Sequence, residues 1–124
     1  MPSDDPVRRF RDIIDEIDYV TNATDGMSFD SFVADPTIRR AIERAYAIIS
    51  EAAIKLGHVA ENHAPEIPWR DIRGLGNVIR HEYSEVDYET LWDIRSIDLA
   101  PLRAACLNAL DQLKSAPEPT NGLD

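Results

Sequence analysis

The sequence predicts an all-α fold, an antiparallel up-and-down four-helix bundle whose C-terminal helix is kinked or split. Three observations predict it. Apolar residues recur three and four apart over four long stretches. Helix-start signals, an Asp before a proline or an apolar repeat, stand at the heads of several of them. The 124 residues hold only five glycines and few β-branched runs. That length suits one domain rather than two, and a chain of this size buries roughly two thirds of its unfolded surface. The domain is expected over residues 1–114, with 115–124 as a tail.

The first helix begins behind Ser3, Asp4 and Asp5, with Pro6 at its first position. Val7, Phe10, Ile13, Ile14, Ile17 and Val20 form its apolar face, and 22–26 end it. Residues 27–34 read as a connection with a short helical turn around Phe29 and Phe32. Asp35-Pro36 opens the second helix. Its apolar residues Ile38, Ile42, Ala45, Ile49, Ala52, Leu56 and Val59 alternate fours and threes, the pattern of a narrow packing seam. Glu51 sits near that seam, either as a solvated charge or as a carboxylate orienting an arginine. Residues 57–68 read as a loop. Pro68 opens a third helix, 84–86 interrupt it, and Asp87 caps a fourth segment with Tyr88, Leu91, Trp92 and Ile94. Asp98 and Pro101 mark a kink or a fresh start before Leu99, Leu102, Ala105, Cys106, Ala109, Leu110 and Leu113. Tyr46, Trp69 and Trp92 add more apolar surface than one small core readily takes, which points to a two-fold dimer.

Composition excludes several classes. No apolar run approaches the roughly 18 residues of a membrane span, and MPSDDP has neither the basic nor the apolar region of a signal peptide. Cys106 is the one cysteine, so no disulfide forms within the chain, which fits a cytoplasmic protein. His58, His63 and His81 lack the spacing of a metal site, and neither metal nor cofactor is expected. The net charge of −10 is the wrong sign for general nucleic-acid binding. Any RNA contact must be local, through a focused basic cleft.

The informative stretch is 69–83, WRDIRGLGNVIRHEY. As a helix it puts Trp69, Ile72, Leu75 and Ile79 on one apolar stripe. Relative to Arg73, Asn77 lies about 40° round, Arg80 about −20° and His81 about 80°. Guanidiniums suit phosphate, an imidazole moves protons near neutrality, and Asn77 one turn before His81 can fix the ring's tautomer. The same residue types also make an ordinary solvated face.

Arg73-Gly74-Leu75, Asn77 and His81-Glu82-Tyr83 resemble the signature of the HepT-like proteins of the HEPN superfamily. Val86-Asp87-Tyr88 with Leu91-Trp92, and Ile49-Ser50-Glu51-Ala52-Ala53, resemble flanking family segments. The likeness runs from about residue 7 to about 113. It implies a dimeric helical bundle, a toxin ribonuclease of a type VII toxin–antitoxin pair. The partner is a nucleotidyltransferase antitoxin of the MntA type that transfers AMP to the tyrosine corresponding to Tyr83. It makes His81 the catalytic residue, with an arginine beside it. The family's usual arginine directly precedes the asparagine, and Gly76 stands there in this chain. Seven residues separate Arg73 from His81, and Arg80 lies one turn beyond Gly76. Two readings follow. One is a metal-independent endoribonuclease using His81 with Arg73 or Arg80, supported by Asn77 and Glu51. The other is a catalytically inactive dimer that acts by binding its nucleotidyltransferase.

Overall fold

The computed structural model describes residues 5–80 and 87–115, with the backbone alone for 78–80. All regular structure among them is helical. In chain order it comprises α1 (Pro6–Ala23), α2 (Phe29–Ala34), α3 (Pro36–Leu56), α4 (His58–His63) and α5 (Trp69–Arg80). There follow α6 (Tyr88–Asp93), a π-helical turn (Ile94–Asp98) and α7 (Leu99–Ser115). No helix among the described residues is long and apolar enough to cross a membrane.

The starts follow from local chemistry. The first N–H groups of a helix have no partner inside it, so a side-chain acceptor ahead of them fixes where it begins. The Asp5 carboxylate accepts from the Arg8 N–H at 3.0 Å, and the Asp35 carboxylate from Thr37 and Ile38 at 3.1 Å each. In both, proline follows at the first position, where its missing N–H leaves nothing unpaired. Ser28 and Ser31 cap α2 reciprocally, each hydroxyl accepting from the other's N–H. The Asp87 carboxylate accepts from the Thr90 N–H and hydroxyl at 3.2 and 2.8 Å.

α3 is the central element, packed against both α1 and α5, while α1 also packs on α7. The expected narrow seam is therefore too narrow. Ile42, Ala45, Ile49, Ala52 and Leu56 are buried as predicted, but so are Tyr46, Ser50 and Ala53 on the adjoining face. A helix with neighbours on two sides needs two buried stripes. Val59 leaves the seam because α3 stops at Leu56: Gly57 turns the chain at φ 55°, ψ −139°, in the left-handed region that glycine tolerates best.

Two further expectations are corrected. Residues 57–68 are not all loop, since 58–63 form α4, whose Ala60 is fully buried. Tyr46 and Trp69 need no second copy to cover them: they are 0% and 1% exposed in the single chain. Each has a carbonyl for its polar atom, the Tyr46 hydroxyl donating to Leu91 O at 2.9 Å and Trp69 Nε1 to Ala64 O at 2.8 Å. Burial pushes the Tyr46 phenol well above its ordinary value. Trp92 is half-buried against Phe32, ring centroids 5.1 Å apart.

Where a kink or fresh start was expected, the chain runs on through the π turn. The Leu99 N–H reaches Ile94 O, five residues back. Pro101 follows directly, and its missing N–H removes the helical bond back to Ile97, an exposed residue. Arg95 in the π turn lies over the Trp92 ring at 4.5 Å. It donates through Nε to the Thr24 hydroxyl at 2.9 Å and through Nη2 to Thr24 O at 3.3 Å. Thr24, fully buried, passes its own hydroxyl proton to Val20 O at 2.7 Å, closing the end of α1.

Candidate functional site

α5 is set by its buried stripe. Trp69, Ile72 and Leu75 are 1%, 7% and 7% exposed, and Gly76 is buried among them. Docking that stripe turns Arg73 towards the C-terminal end of α3. The Ser50 hydroxyl donates to the Arg73 carbonyl at 2.7 Å, pinning the two helices at that level.

The Arg73 guanidinium is almost fully engaged. Nη1 and Nη2 hold the two Glu61 oxygens at 2.8 and 2.7 Å, a bidentate pair. Nη2 also donates to Gly57 O at 2.8 Å, and Nε to Ala53 O at 3.3 Å. The last carbonyls of a helix lack intrahelical donors and carry partial negative charge, so a cation placed there is favoured. Arg73 thus ties α3, α4 and α5 together. The pairing holds the Glu61 carboxyl below its usual range and raises the Arg73 guanidinium further above its own. Four of the five N–H donors of a guanidinium are taken within the chain.

Asn77 is exposed on the same side, one turn further on. The side chain of Arg80, and all of His81 and Tyr83, lie outside the described residues.

Glu51 is not the carboxylate on Arg73. Ser50 occupies the α5-facing place on α3, and the next residue is turned about 100° away from it. Glu51 pairs instead with Lys55 at 3.6 Å and lines a groove of about 280 Å³ with Arg9, Asp12, Arg44, Ala47, Ile48 and Ala52. The residue that sequence reasoning missed is Glu61. It is twelve positions from Arg73 in a stretch taken for loop, and no sequence period links the two.

No group of three His, Cys, Asp or Glu residues suited to a metal occurs among the described residues. His63 has a structural contact, its Nδ1 2.7 Å from Gln112 Oε1. Cys106 is fully buried, and burial alone pushes its thiol up to about 12, so it is a packing residue and not a nucleophile.

A model of the ribonuclease HepT-like family matches residues 13–109, from within α1 to within α7 and across the whole of α5. A protein of Caldanaerobacter subterraneus subsp. tengcongensis, provisionally named an RNase, is 33% identical over 81 residues, 65% of this chain and 72% of that protein. A similarly named protein of Methanocaldococcus jannaschii is 31% identical over 94 residues, 76% of this chain and 78% of its own. A protein of Thermococcus cleftensis, provisionally named ribonuclease HepT, is 30% identical over 92 residues, 74% of this chain and 84% of its own. No solved structure matches. With the family's span reaching every long helix and the motif helix α5 wholly inside it, the chain belongs to the HepT-like ribonuclease family.

Proposed function

We propose that this protein is a metal-independent endoribonuclease, the toxin of a type VII toxin–antitoxin pair, acting in the cytoplasm as a two-fold dimer of antiparallel four-helix bundles. The observation that carries this is the family match across α5, whose polar side holds Asn77 and leads into Arg80 and His81. In this reading the RNA 2′-hydroxyl attacks the adjacent phosphorus, His81 takes its proton, and the 5′-oxygen leaves with a proton returned to it. Arg80 stabilises charge on the phosphoryl oxygens, and Asn77 sets the His81 tautomer. Arg73, with its donors on Glu61, Gly57 and Ala53, supports the site by fixing α5 rather than by touching substrate. Tyr83 is the residue to which a partner nucleotidyltransferase transfers AMP. The added phosphate then pairs with the guanidinium otherwise used for RNA and closes the site by occupancy.

The test is RNA cleavage in the presence of a chelator. The expected outcome is cutting of RNA but not of DNA, lost in His81→Ala and lowered about 10²–10³-fold in Arg80→Ala. Equal cutting by the parent and His81→Ala would exclude the mechanism. For Tyr83, intact mass after co-expression with a nucleotidyltransferase encoded beside this chain should rise by whole AMP units. Increments that persist in Tyr83→Phe would place the modification elsewhere.

One observation favours the second reading, an inactive dimer that works by binding its nucleotidyltransferase. The family's arginine place is the buried Gly76, and Arg73 is engaged within the fold. Adding an arginine at Gly76 would insert a guanidinium into a packed face, so Arg80 is the position that separates the readings. Toxicity of the unaltered chain that disappears in Arg80→Ala supports the enzyme. A harmless chain that still binds the nucleotidyltransferase supports the binding module.

A further inference from the structure

The groove between α1 and α3 lies on the other side of α3 from Arg73, and it holds guanidinium donors that the fold leaves unused. Four arginines outside the groove have side-chain partners: Arg73 on Glu61, Arg103 on Asp18 at 2.7 Å, Arg95 on Thr24, and Arg39 on the Val33 carbonyl. What sets the groove apart is that two arginines with free donors share one concave site. Arg44 is exposed and makes no hydrogen bond or ion pair to a described residue. Arg9 reaches Asp12 through Nη1 at a long 3.4 Å, while its Nε is shut off from solvent with no acceptor. A buried charged donor without a partner is unfavourable, and a small swing of this guanidinium into the groove it lines would relieve it if an acceptor were there.

The helix wheel extends the feature. Counting about 100° per residue, Arg40, Arg44, Glu51 and Lys55 fall within about 60° of one another on α3. They form a stripe roughly 22 Å long at 1.5 Å per residue. Two carboxylates, Asp12 and Glu51, line the groove among these cations, and Glu16 on α1 lies near enough to Arg44 to feel its charge. A bare anion would be a poor match for such a mixed wall. A ligand alternating anionic groups with hydroxyl donors matches it well, the guanidiniums meeting phosphate and the carboxylates accepting from hydroxyls.

We propose that this groove docks the backbone of two successive nucleotides of an RNA strand, with Arg9 and Arg44 on the phosphate between them and Asp12 and Glu51 each accepting from a 2′-hydroxyl. The choice of RNA rests on the nuclease reading, but the site is separate from α5 and binds without cutting. It supplies guanidiniums with free donors, which a chain of net charge −10 needs to hold a phosphate locally.

The experiment measures binding of a labelled oligoribonucleotide by fluorescence anisotropy over a series of salt concentrations. It uses the full chain carrying His81→Ala so that nothing is cut. Adding Arg44→Gln should weaken binding about tenfold and lower the dependence of log affinity on log salt by about one. Arg44→Lys should recover most of the salt dependence. Glu51→Gln should reduce the preference for RNA over DNA of the same sequence. Affinity and salt slope unchanged in Arg44→Gln would overturn the site. Equal tightening of RNA and DNA in Glu51→Gln would show a carboxylate that only repels phosphate, and would overturn its pairing with the ribose. Without the His81 change, a chain that binds through the groove yet leaves RNA whole refutes the nuclease reading alone. A chain that cuts RNA while Arg44→Gln binds undiminished refutes the groove alone.

Discussion

At the scale of single residues, Arg73 and Glu61 decide most. Removing the guanidinium leaves Glu61 and two helix-end carbonyls without their donor, so Arg73→Ala should lower stability by about 2–4 kcal/mol in urea unfolding. Glu61 is nearly half exposed, 45% for its side chain, and Glu61→Gln should cost less, about 1 kcal/mol. Its pH dependence has a definite sign. The folded carboxyl titrates below its unfolded value, so the clamp's contribution is complete above about pH 4.3 and is lost as pH falls through the folded pKa. The stability gap between parent and Glu61→Gln should therefore narrow from pH 7 to pH 3, and a constant gap would contradict the pairing. Cys106, with its thiol pushed up to about 12 by burial, should react with a disulfide reagent at pH 8 only after unfolding. Rapid labelling of the native chain would show that the α7 face opens. Part of this was legible in the sequence. The buried thiol follows from its apolar neighbours, and the polar side of α5 from its period. The Arg73–Glu61 clamp was not legible, because a pair joined across a turn leaves no periodic trace.

At the scale of elements, α3 organises the rest. Ala45 is 1% exposed and faces neighbouring helices, so Ala45→Arg must overpack the seam or bury an unpaired charge, at a cost of several kcal/mol. A variant as stable as its parent in urea would show this face open to solvent. The starts of α1, α3 and α6 were readable because a side-chain cap acts within three residues. α4 was not: six residues between a glycine and two prolines carry too little pattern, and the helix forms because Ala60 and Ala64 pack into the core. Tyr46 and Trp69 misled for a similar reason. Their size and polar atoms suggested an interface, and only the fold supplies Leu91 and Ala64 carbonyls to satisfy them.

At the scale of the whole molecule, the dimer must be argued from other surface than those rings. Exposed Tyr19, Ile54, Ile97 and Leu107 remain on the described chain, and sedimentation velocity at micromolar concentration should report two copies if the proposed assembly is right. A single-copy species at that concentration would remove the dimer from the mechanism. The closure of α1 bears on a different matter, the timing of folding during synthesis. The Thr24 oxygens that end α1 are met by Arg95, 71 residues later. At about 5–20 residues per second, a ribosome needs roughly 4–14 s between placing the threonine and placing the arginine. For that interval the first helix emerges with its end unfinished and its α7-facing side bare. The nascent chain therefore stays open to chaperones until the π turn and α7 have been made, and elements that appear late are the ones that let the first helix settle.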